Sequence, residues 1–237
     1  MRPPIYEPTG KAKEYGDYAL NIYKGCPHSC YYCFAPNVLH QAKMQFHSCA
    51  EPRPDIVDEV RKQLMRENIT GKLIHLCFTC DPYPTRKDTT ETREVIKELK
   101  KRGNHVQILT KGDGSRDFDL LDENDWYGVT ISSMGELARQ SEPGAVPPEI
   151  RLWKLVEAHN RGIKTWVSFE PVLCERDIYT VLDVFHTWID KVKIGKLNYH
   201  PSEINWKEFG LKVSAVCDAY HMDYYIKEGL RAEMEKR

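Results

Sequence analysis

The sequence lacks a surplus of charge of either sign, since 34 Lys and Arg residues face 35 Asp and Glu residues. Proteins that mainly grip duplex DNA draw much of their affinity from excess positive charge. No apolar run approaches the roughly 18–20 residues of a membrane-spanning helix. These absences make nucleic acid a less favoured partner and predict no membrane association. We therefore expect a cytoplasmic protein.

Linkers, low-complexity stretches and internal repeats are also missing from the 237 residues. A hydrophobic content of 41% and a charged content of 29% are typical of a soluble globular protein. The length suits one sizeable domain. We expect a single domain over residues 1–237, with a core at about 18–200 and a C-terminal helix and tail at 201–237.

Short β-rich runs alternate with longer amphipathic stretches, which is the pattern of parallel strands joined by helices. The predicted strands are Tyr18–Tyr23, Leu73–Thr79, His105–Thr110, Tyr127–Ser132, Lys164–Phe169 and Lys191–Gly195. The predicted helices are Arg53–Glu67, Thr90–Arg102, Met134–Gln140, Pro147–Arg161, Arg176–Thr187 and Trp206–Tyr220. Six such units favour an α/β fold of the partial (β/α)6 barrel type, with a doubly wound sheet as the alternative. Asp223–Lys227 either adds a terminal strand or packs on the rim.

Eight cysteines are many for a chain expected in a reducing compartment, where metal binding or catalysis explains them better than disulfides. The segment NIYKGCPHSCYYCFAP places Cys26, Cys30 and Cys33 in one short loop. Three thiolates can hold three irons of a 4Fe–4S cluster and leave the fourth iron open. That iron can bind the amino and carboxylate groups of S-adenosylmethionine, whose reductive cleavage gives a 5′-deoxyadenosyl radical.

A structural zinc loop is the alternative interpretation of these cysteines. Its fourth ligand would be one of His28, His40, His47 or Cys49. Zinc sites more often combine two CxxC pairs, and no clean second pair follows this loop. The loop also follows the first predicted strand, so it would open onto the C-terminal mouth of a barrel, where active sites collect.

The cysteine loop, with the aromatic Tyr32 directly before its third cysteine, resembles that of the radical S-adenosylmethionine superfamily. Three further stretches resemble the spore photoproduct lyase-like branch of that superfamily. They are TCDPYPTRKDTTETREVIKEL, ILTKGDGSRDFDLL and ISSMGELARQSEPGAVPPEIRLWKL. The resemblance covers roughly residues 18–200 and implies a partial (β/α)6 barrel, in agreement with the strand count.

The resemblance implies roles for several residues at strand ends, with Tyr32 among those that contact the cosubstrate. Thr79 and Asp81 would contact the methionine moiety of S-adenosylmethionine, and Lys111 would pair with its carboxylate. Ser132 would lie near the ribose or the carboxylate. Arg139, seven residues further on, could reach the same carboxylate as a fork-shaped donor.

A thiol at the end of the second strand returns a hydrogen atom in photoproduct lyases. When the Asp residues of the two motifs are aligned, Phe78 falls at the position of that thiol, which weakens a DNA-repair function. Cys80 lies close enough to serve instead. Cys77 is expected to be a small core residue, because residues three apart on an extended strand face opposite sides.

Substrate-side candidates follow the fifth and sixth strands at the predicted mouth. Glu170 comes first, as a catalytic and substrate-binding carboxylate. Asn198, Tyr199 and His200 follow, and Asp81 could also contact substrate from the second strand. Catalytic groups in barrels gather at these strand ends.

We therefore expect a radical lyase that acts on a small molecule and takes electrons from a reductant such as flavodoxin or ferredoxin. The favoured substrate is a modified base, queuine, cleaved at the C–N bond of its side chain to give 7-aminomethyl-7-deazaguanine. The resembling branch includes a queuine salvage lyase of similar compact size. The alternatives are a DNA photoproduct lyase-like repair enzyme and a zinc-stabilised binding module without enzymatic activity.

Overall fold

The computed structural model describes residues 3–236 and alternates strands with helices along most of its length. The strands are β1 (Ile5–Tyr6), β2 (Tyr18–Leu20), β3 (Tyr23–Lys24), β4 (Glu51–Pro52), β5 (Leu73–Leu76), β6 (His105–Thr110), β7 (Trp126–Thr130), β8 (Lys164–Phe169), β9 (Lys191–Ile194) and β10 (Asp223–Ile226). The helices are α1 (Ala35–Val38), α2 (Lys43–Ser48), α3 (Ile56–Arg66), α4 (Thr90–Lys101), α5 (Gly135–Ser141), α6 (Pro148–Asn160), α7 (Glu175–Phe185), α8 (Trp206–Ala219) and α9 (Glu228–Met234). Short 3₁₀ segments lie at Gly10–Glu14, Ser115–Leu120 and His186–Trp188.

The main sheet has eight strands in the order β1-β2-β5-β6-β7-β8-β9-β10. Every neighbouring pair from β2 to β10 is parallel, and only β1 runs antiparallel at the edge. Because β1 and β10 are not paired with each other, the sheet is an open, partial barrel. The predicted fold class is confirmed. Asp223–Ile226 is a strand, so the C-terminal stretch extends the barrel instead of packing on its rim.

The core consists of strand residues packed against the helices that cover the outside of the sheet. In β5 and β6 the alternate residues Ile74, Val106 and Ile108 are fully buried. Helix α4 contributes Val95 and Leu99 at a spacing of one turn, which places both on its buried face. No helix within residues 3–236 is both long and apolar enough to cross a membrane.

Four predicted strands end earlier than expected: Tyr18–Tyr23 at Leu20, Tyr127–Ser132 at Thr130, Lys191–Gly195 at Ile194 and Leu73–Thr79 at Leu76. We predicted a strand at Leu73–Thr79, but β5 ends at Leu76 because Cys77 has a left-handed backbone, with φ of 69°. The N–H groups of Phe78 and Thr79 then donate to Oδ1 of Asn21, at 2.8 and 2.9 Å, instead of continuing the sheet.

Candidate active site

The cysteine loop connects β3 to α1 and packs tightly against the chain around α2. Gly25 has a φ of +80°, and a Cβ there would lie 2.2 Å from the Cys49 carbonyl oxygen, so only glycine fits. The Cys26 N–H donates to the Phe46 carbonyl at 3.0 Å. The backbone of the loop is therefore held in place before any ligand binds.

The three cysteines of this loop are free, and Cys30 is buried. Burial raises the pKa of Cys30 to about 12. It raises the pKa of Cys26 well above its usual value, and Cys30 and Cys33 add to that rise. Only metal coordination would make thiolates of such thiols at neutral pH. Three soft ligands on one rigid loop fit an iron–sulfur cluster.

Two of the residues considered as a fourth zinc ligand, His28 and His47, have other partners. Nε2 of His28 accepts the Thr85 N–H at 3.2 Å, and its Nδ1 lies 3.5 Å from Asp81. Nδ1 of His47 lies 2.8 Å from the Cys26 carbonyl oxygen. These contacts help to hold the loop in position.

A buried polar network lies beside the loop and is centred on Glu142. Its carboxylate accepts hydrogen bonds from Arg151, Ser132 and the Tyr32 hydroxyl. The side chains of Glu142 and Arg151 are each only 1% exposed. The Tyr32 hydroxyl also lies 2.9 Å from the Ser132 hydroxyl. Two predicted cosubstrate residues, Tyr32 and Ser132, are thus brought together.

Lys111 is the cation of this network that lacks a close carboxylate partner among the residues that the structure describes. Its Nζ lies 4.0 Å from Glu142 and 5.4 Å from the centre of the Tyr32 ring, and its side chain is 15% exposed. Burial by itself would raise the pKa of Glu142, but Lys111 and Arg151 outweigh that effect and lower it. Because Arg151 already neutralises Glu142, the charge of Lys111 remains available for an anion.

Sequence reasoning gave Glu142 no role and missed Arg151. A usable signal was present: Arg151 falls on the same face of α6 as Leu155, which is fully buried. A basic residue on a core-facing position needs a buried partner.

Asp81 is held by structural contacts on both carboxylate oxygens. Oδ1 accepts the Tyr83 N–H at 2.8 Å and the Thr110 hydroxyl at 2.5 Å. Oδ2 accepts the Lys111 N–H at 2.8 Å. Asp81 therefore ties the end of β5 to the end of β6, which leaves it poorly placed to bind cosubstrate or substrate. The neighbouring Thr79 hydroxyl is buried without a hydrogen-bond partner among the described residues.

Arg139 is not brought to the network. Its guanidinium pairs with Glu136 one turn earlier on α5, at 2.8 Å, and both side chains are at least 60% exposed. The helix turns Arg139 outward, whereas Ala138 and Ser141 form its buried face.

Cys77 and Cys80 do not lie on an extended strand, because β5 has ended before them. Their thiols interact: burial raises the pKa of Cys77 well above its usual value, and Cys80 raises it further. Cys77 is 6% exposed, in keeping with a core position. Cys80 is partly exposed, with its Sγ 3.9 Å from Oδ1 of Asn21.

A second polar cluster surrounds Glu170 at the end of β8. Oε2 of Glu170 accepts the Tyr15 hydroxyl at 2.8 Å and also the Lys227 ammonium. No residue within 3–236 donates to its Oε1, and the side chain is 19% exposed. A Cβ at Gly195 would lie 2.8 Å from that oxygen, so glycine is required for Glu170 to lie across the end of β9.

The same cluster contains one further carboxylate and one further cation. Glu14 lies 3.5 Å from Lys227 and accepts the Tyr225 hydroxyl at 3.0 Å. Lys193 donates to the Glu14 carbonyl at 2.7 Å, and burial, then Lys191 and Lys227, lower its pKa to about 8. Sequence reasoning missed Glu14, Tyr15, Lys193 and Lys227, because no local motif links residues so far apart in the chain.

The other substrate-side candidates make no hydrogen bond to Glu170 among the described residues. Asn198 accepts Lys11 at 3.4 Å and donates to the Lys196 carbonyl at 3.1 Å. Tyr199 is 86% exposed. The His200 ring packs edge-on against Tyr31 of the cysteine loop, with 5.2 Å between centroids.

An open cleft of about 660 Å³ adjoins the cysteine loop at this rim. Its walls include Tyr31, Leu173 and Leu197. The Leu173 N–H donates to the Ser132 carbonyl at 2.8 Å, so one wall of the cleft is bonded to the strand end that carries Ser132. Its position suits an entrance to the barrel mouth.

Comparisons with known proteins agree with this geometry. A family model described as the Radical SAM superfamily matches residues 20–177. An uncharacterized protein of Acidianus two-tailed virus is 29% identical over 73% of this chain and 64% of its own length. One of Methanocaldococcus jannaschii is 30% identical over 66% of this chain and 60% of its own length. The chain thus spans less than two thirds of either relative.

Solved structures share the fold at low sequence identity. A spore photoproduct lyase variant has a TM-score of 0.69 and 13% identity, covering 93% of this chain and 79% of its own. Streptococcus suis SuiB bound to S-adenosylmethionine has a TM-score of 0.67 and 12% identity, covering 92% of this chain and 52% of its own. At these identities the likeness concerns the fold alone.

Proposed function

This chain belongs to the Radical SAM superfamily, and on that premise we propose that it is a radical lyase acting on a small modified base. As a member of the superfamily it uses a 4Fe–4S cluster and S-adenosylmethionine. When bound, these supply a 5′-deoxyadenosyl radical that abstracts a hydrogen atom from substrate. An enzyme of this family replaces the zinc-stabilised binding module as the explanation of the cysteine loop.

Cys26, Cys30 and Cys33 hold the cluster in this proposal, and the Glu142 network prepares the cosubstrate site beside it. Lys111 offers its charge to the carboxylate of S-adenosylmethionine. Tyr32 and Ser132 add hydroxyl groups, and Arg151 keeps Glu142 neutralised so that Lys111 stays available. The low exposure of this network limits the access of water.

The substrate class rests on one observation, the open Oε1 of Glu170. A carboxylate with one oxygen saturated and the other free accepts an N–H or O–H donor, and a guanine-like edge or a ribose-like diol presents such donors. We propose queuine as the substrate, with release of 7-aminomethyl-7-deazaguanine. Loss of a hydrogen atom beside the C–N bond lets that bond break, which leaves the ring fragment as an alkene and the radical on the released nitrogen. Cys80, partly exposed at the end of β5, is the proposed donor of the hydrogen atom that quenches this radical, and the external reductant returns the Cys80 thiyl radical to the thiol.

A DNA photoproduct lyase-like repair activity is the second candidate, supported by the shared fold with spore photoproduct lyase. Against it stand the balanced net charge of −1 and Phe78 at the position expected for the thiol. Both enzymes would need an external reductant, for which flavodoxin or ferredoxin is proposed.

The test is an anaerobic reaction of reconstituted protein with S-adenosylmethionine, dithionite and queuine, followed by mass spectrometry. We expect 5′-deoxyadenosine and 7-aminomethyl-7-deazaguanine, with neither formed by Cys33→Ala. Glu170→Gln should raise the KM for queuine about 10- to 100-fold, the scale of a charge-assisted hydrogen bond. Repair of a thymine photoproduct in DNA, with queuine untouched, would establish the second candidate instead.

A further inference from the structure

Residues 10–15 cross the open side of the barrel between its unpaired edges. The segment connects β1 to β2 at one edge and contacts β9, β10 and the start of α9 at the other. Its 3₁₀ turn, Gly10–Glu14, has no buried residue. Hydrophobic packing of the turn therefore does not hold it there.

Polar contacts hold the segment instead. The Glu14 carboxylate accepts the Tyr225 hydroxyl at 3.0 Å and the Glu228 N–H at 2.9 Å. The Tyr15 carbonyl accepts Nε2 of Gln107 at 3.0 Å. Lys193 donates to the Glu14 carbonyl at 2.7 Å. Water or a ligand can replace each of these contacts, so the segment can leave the barrel if a ligand also takes the place of the Tyr15 ring.

The Tyr15 ring projects into the barrel interior. Its centroid lies 5.4 Å from the ring of His75, 5.5 Å from Phe78 and 6.0 Å from Trp166. The ammonium groups of Lys227 and Lys193 lie 4.2 and 4.7 Å from the same centroid. A flat aromatic ring between aromatic edges and two cations is stabilised by both kinds of contact.

The space that Tyr15 occupies is also surrounded by hydrogen-bond donors and acceptors. At its far end, Glu170 accepts from the Tyr15 hydroxyl at 2.8 Å. At its near end, Gln107 donates to the backbone carbonyl oxygen of Tyr15, and Lys193 donates to that of Glu14. Nε2 of His75 and Oγ of Ser168 are buried beside it, in residues only 1% exposed, with no hydrogen-bond partner among residues 3–236. Unpartnered buried groups of this kind point to a ligand.

We propose that Tyr15 occupies a binding site for a flat heteroaromatic ligand, which displaces residues 10–15 when it binds. Such a ligand carries an N–H or O–H donor for Glu170 and a carbonyl-type acceptor for Gln107 and Lys193. A nucleobase has this chemistry. The proposal deepens the function proposed above by extending its substrate site beneath the segment, and its test requires no turnover.

The test replaces Tyr15 with Gly and asks which small molecule refills the site. p-Cresol reproduces the Tyr15 side chain, 7-deazaguanine supplies the donor and acceptor edges, and toluene provides a ring without polar groups. At ligand concentrations of about 100 times Kd, we expect p-cresol and 7-deazaguanine to raise the Tm of Tyr15→Gly by about 5–10 °C. Toluene should raise it by less, and p-cresol should leave wild type unchanged.

Stabilisation by toluene equal to that by p-cresol, or by none of the three, would overturn the proposal. Because these outcomes concern binding alone, they differ from a failure to cleave queuine, which would overturn only the lyase assignment. Hydrogen exchange of wild type provides a second measurement that needs no variant. We expect the amides of residues 10–15 to exchange at least about 100-fold faster than those of β5 and β6. Protection equal to that of these strands would identify Tyr15 as an ordinary core residue.

Discussion

The two polar clusters at the barrel mouth differ in the charge that they leave available. Around Glu142 the carboxylate is saturated, and within residues 3–236 the side chain of Lys111 has no carboxylate partner closer than 4.0 Å. Around Glu170 the cation Lys227 is surrounded by two carboxylates, and one carboxylate oxygen is open. The first cluster suits an anion and the second suits a hydrogen-bond donor. One mouth can thus hold a cosubstrate carboxylate and a base edge without competition between them.

The largest effect should come from loss of the 4Fe–4S cluster, on which the proposed reaction at both polar clusters depends. Cys33→Ala should lose the brown absorption of the reconstituted protein and all 5′-deoxyadenosine formation, because only two loop thiolates would remain. Cys49→Ala is the matched control, since Cys49 is exposed and lies outside the three-cysteine spacing. Iron content, absorption and product are measured together. Retained 5′-deoxyadenosine in Cys33→Ala would contradict the cluster assignment.

Breaking the Glu142 cluster should cost stability as well as activity. Arg151→Met leaves a buried carboxylate without its main partner, which typically costs about 3–5 kcal/mol in the free energy of unfolding. Urea denaturation measures the loss. Arg139→Met removes the same charge from an exposed pair and should leave the midpoint unchanged. Similar midpoints for the two variants would show that Glu142 does not depend on Arg151.

The Glu170 cluster predicts a pH dependence through Lys193, whose pKa is lowered to about 8 by burial and by nearby cations. Above that pH the folded protein binds fewer protons than the unfolded chain, so stability contributed by Lys193 rises towards pH 10 and is flat below 8. Relative to that of Lys193→Met, the free energy of unfolding of wild type should rise by about 2–3 kcal/mol between pH 7.5 and pH 10. Urea unfolding at both values measures this, and an unchanged difference would contradict it.

The two clusters also differ in how far sequence could predict them. The spacing of the cysteines predicts the cysteine loop, the resemblance to the superfamily implies roles for Lys111 and Ser132, and the structure brings Ser132 and Tyr32 together. The Glu170 cluster joins residues 14, 15, 193 and 227, whose proximity depends on the closure of the barrel. No local sequence motif predicts the proximity of these four residues.

The remaining differences have local physical causes. Strand β5 ends early because Asn21, on another segment, captures two N–H groups. Arg139 points outward because of the rotation of α5, which is not evident from a seven-residue spacing in the sequence. By contrast, the strands His105–Thr110 and Lys164–Phe169 were predicted with their observed bounds, because their buried runs end at clear turn signals.

The most direct test of the division between the two clusters is calorimetry of S-adenosylmethionine binding to the anaerobically reconstituted protein. Lys111→Met should weaken that affinity about 10-fold, or roughly 1–2 kcal/mol, because a charge-assisted contact to the carboxylate is lost. Glu170→Gln should leave the affinity unchanged, since the proposed function assigns its cluster to substrate and not to S-adenosylmethionine. An equal loss in both variants, or unchanged affinity in Lys111→Met, would contradict the account.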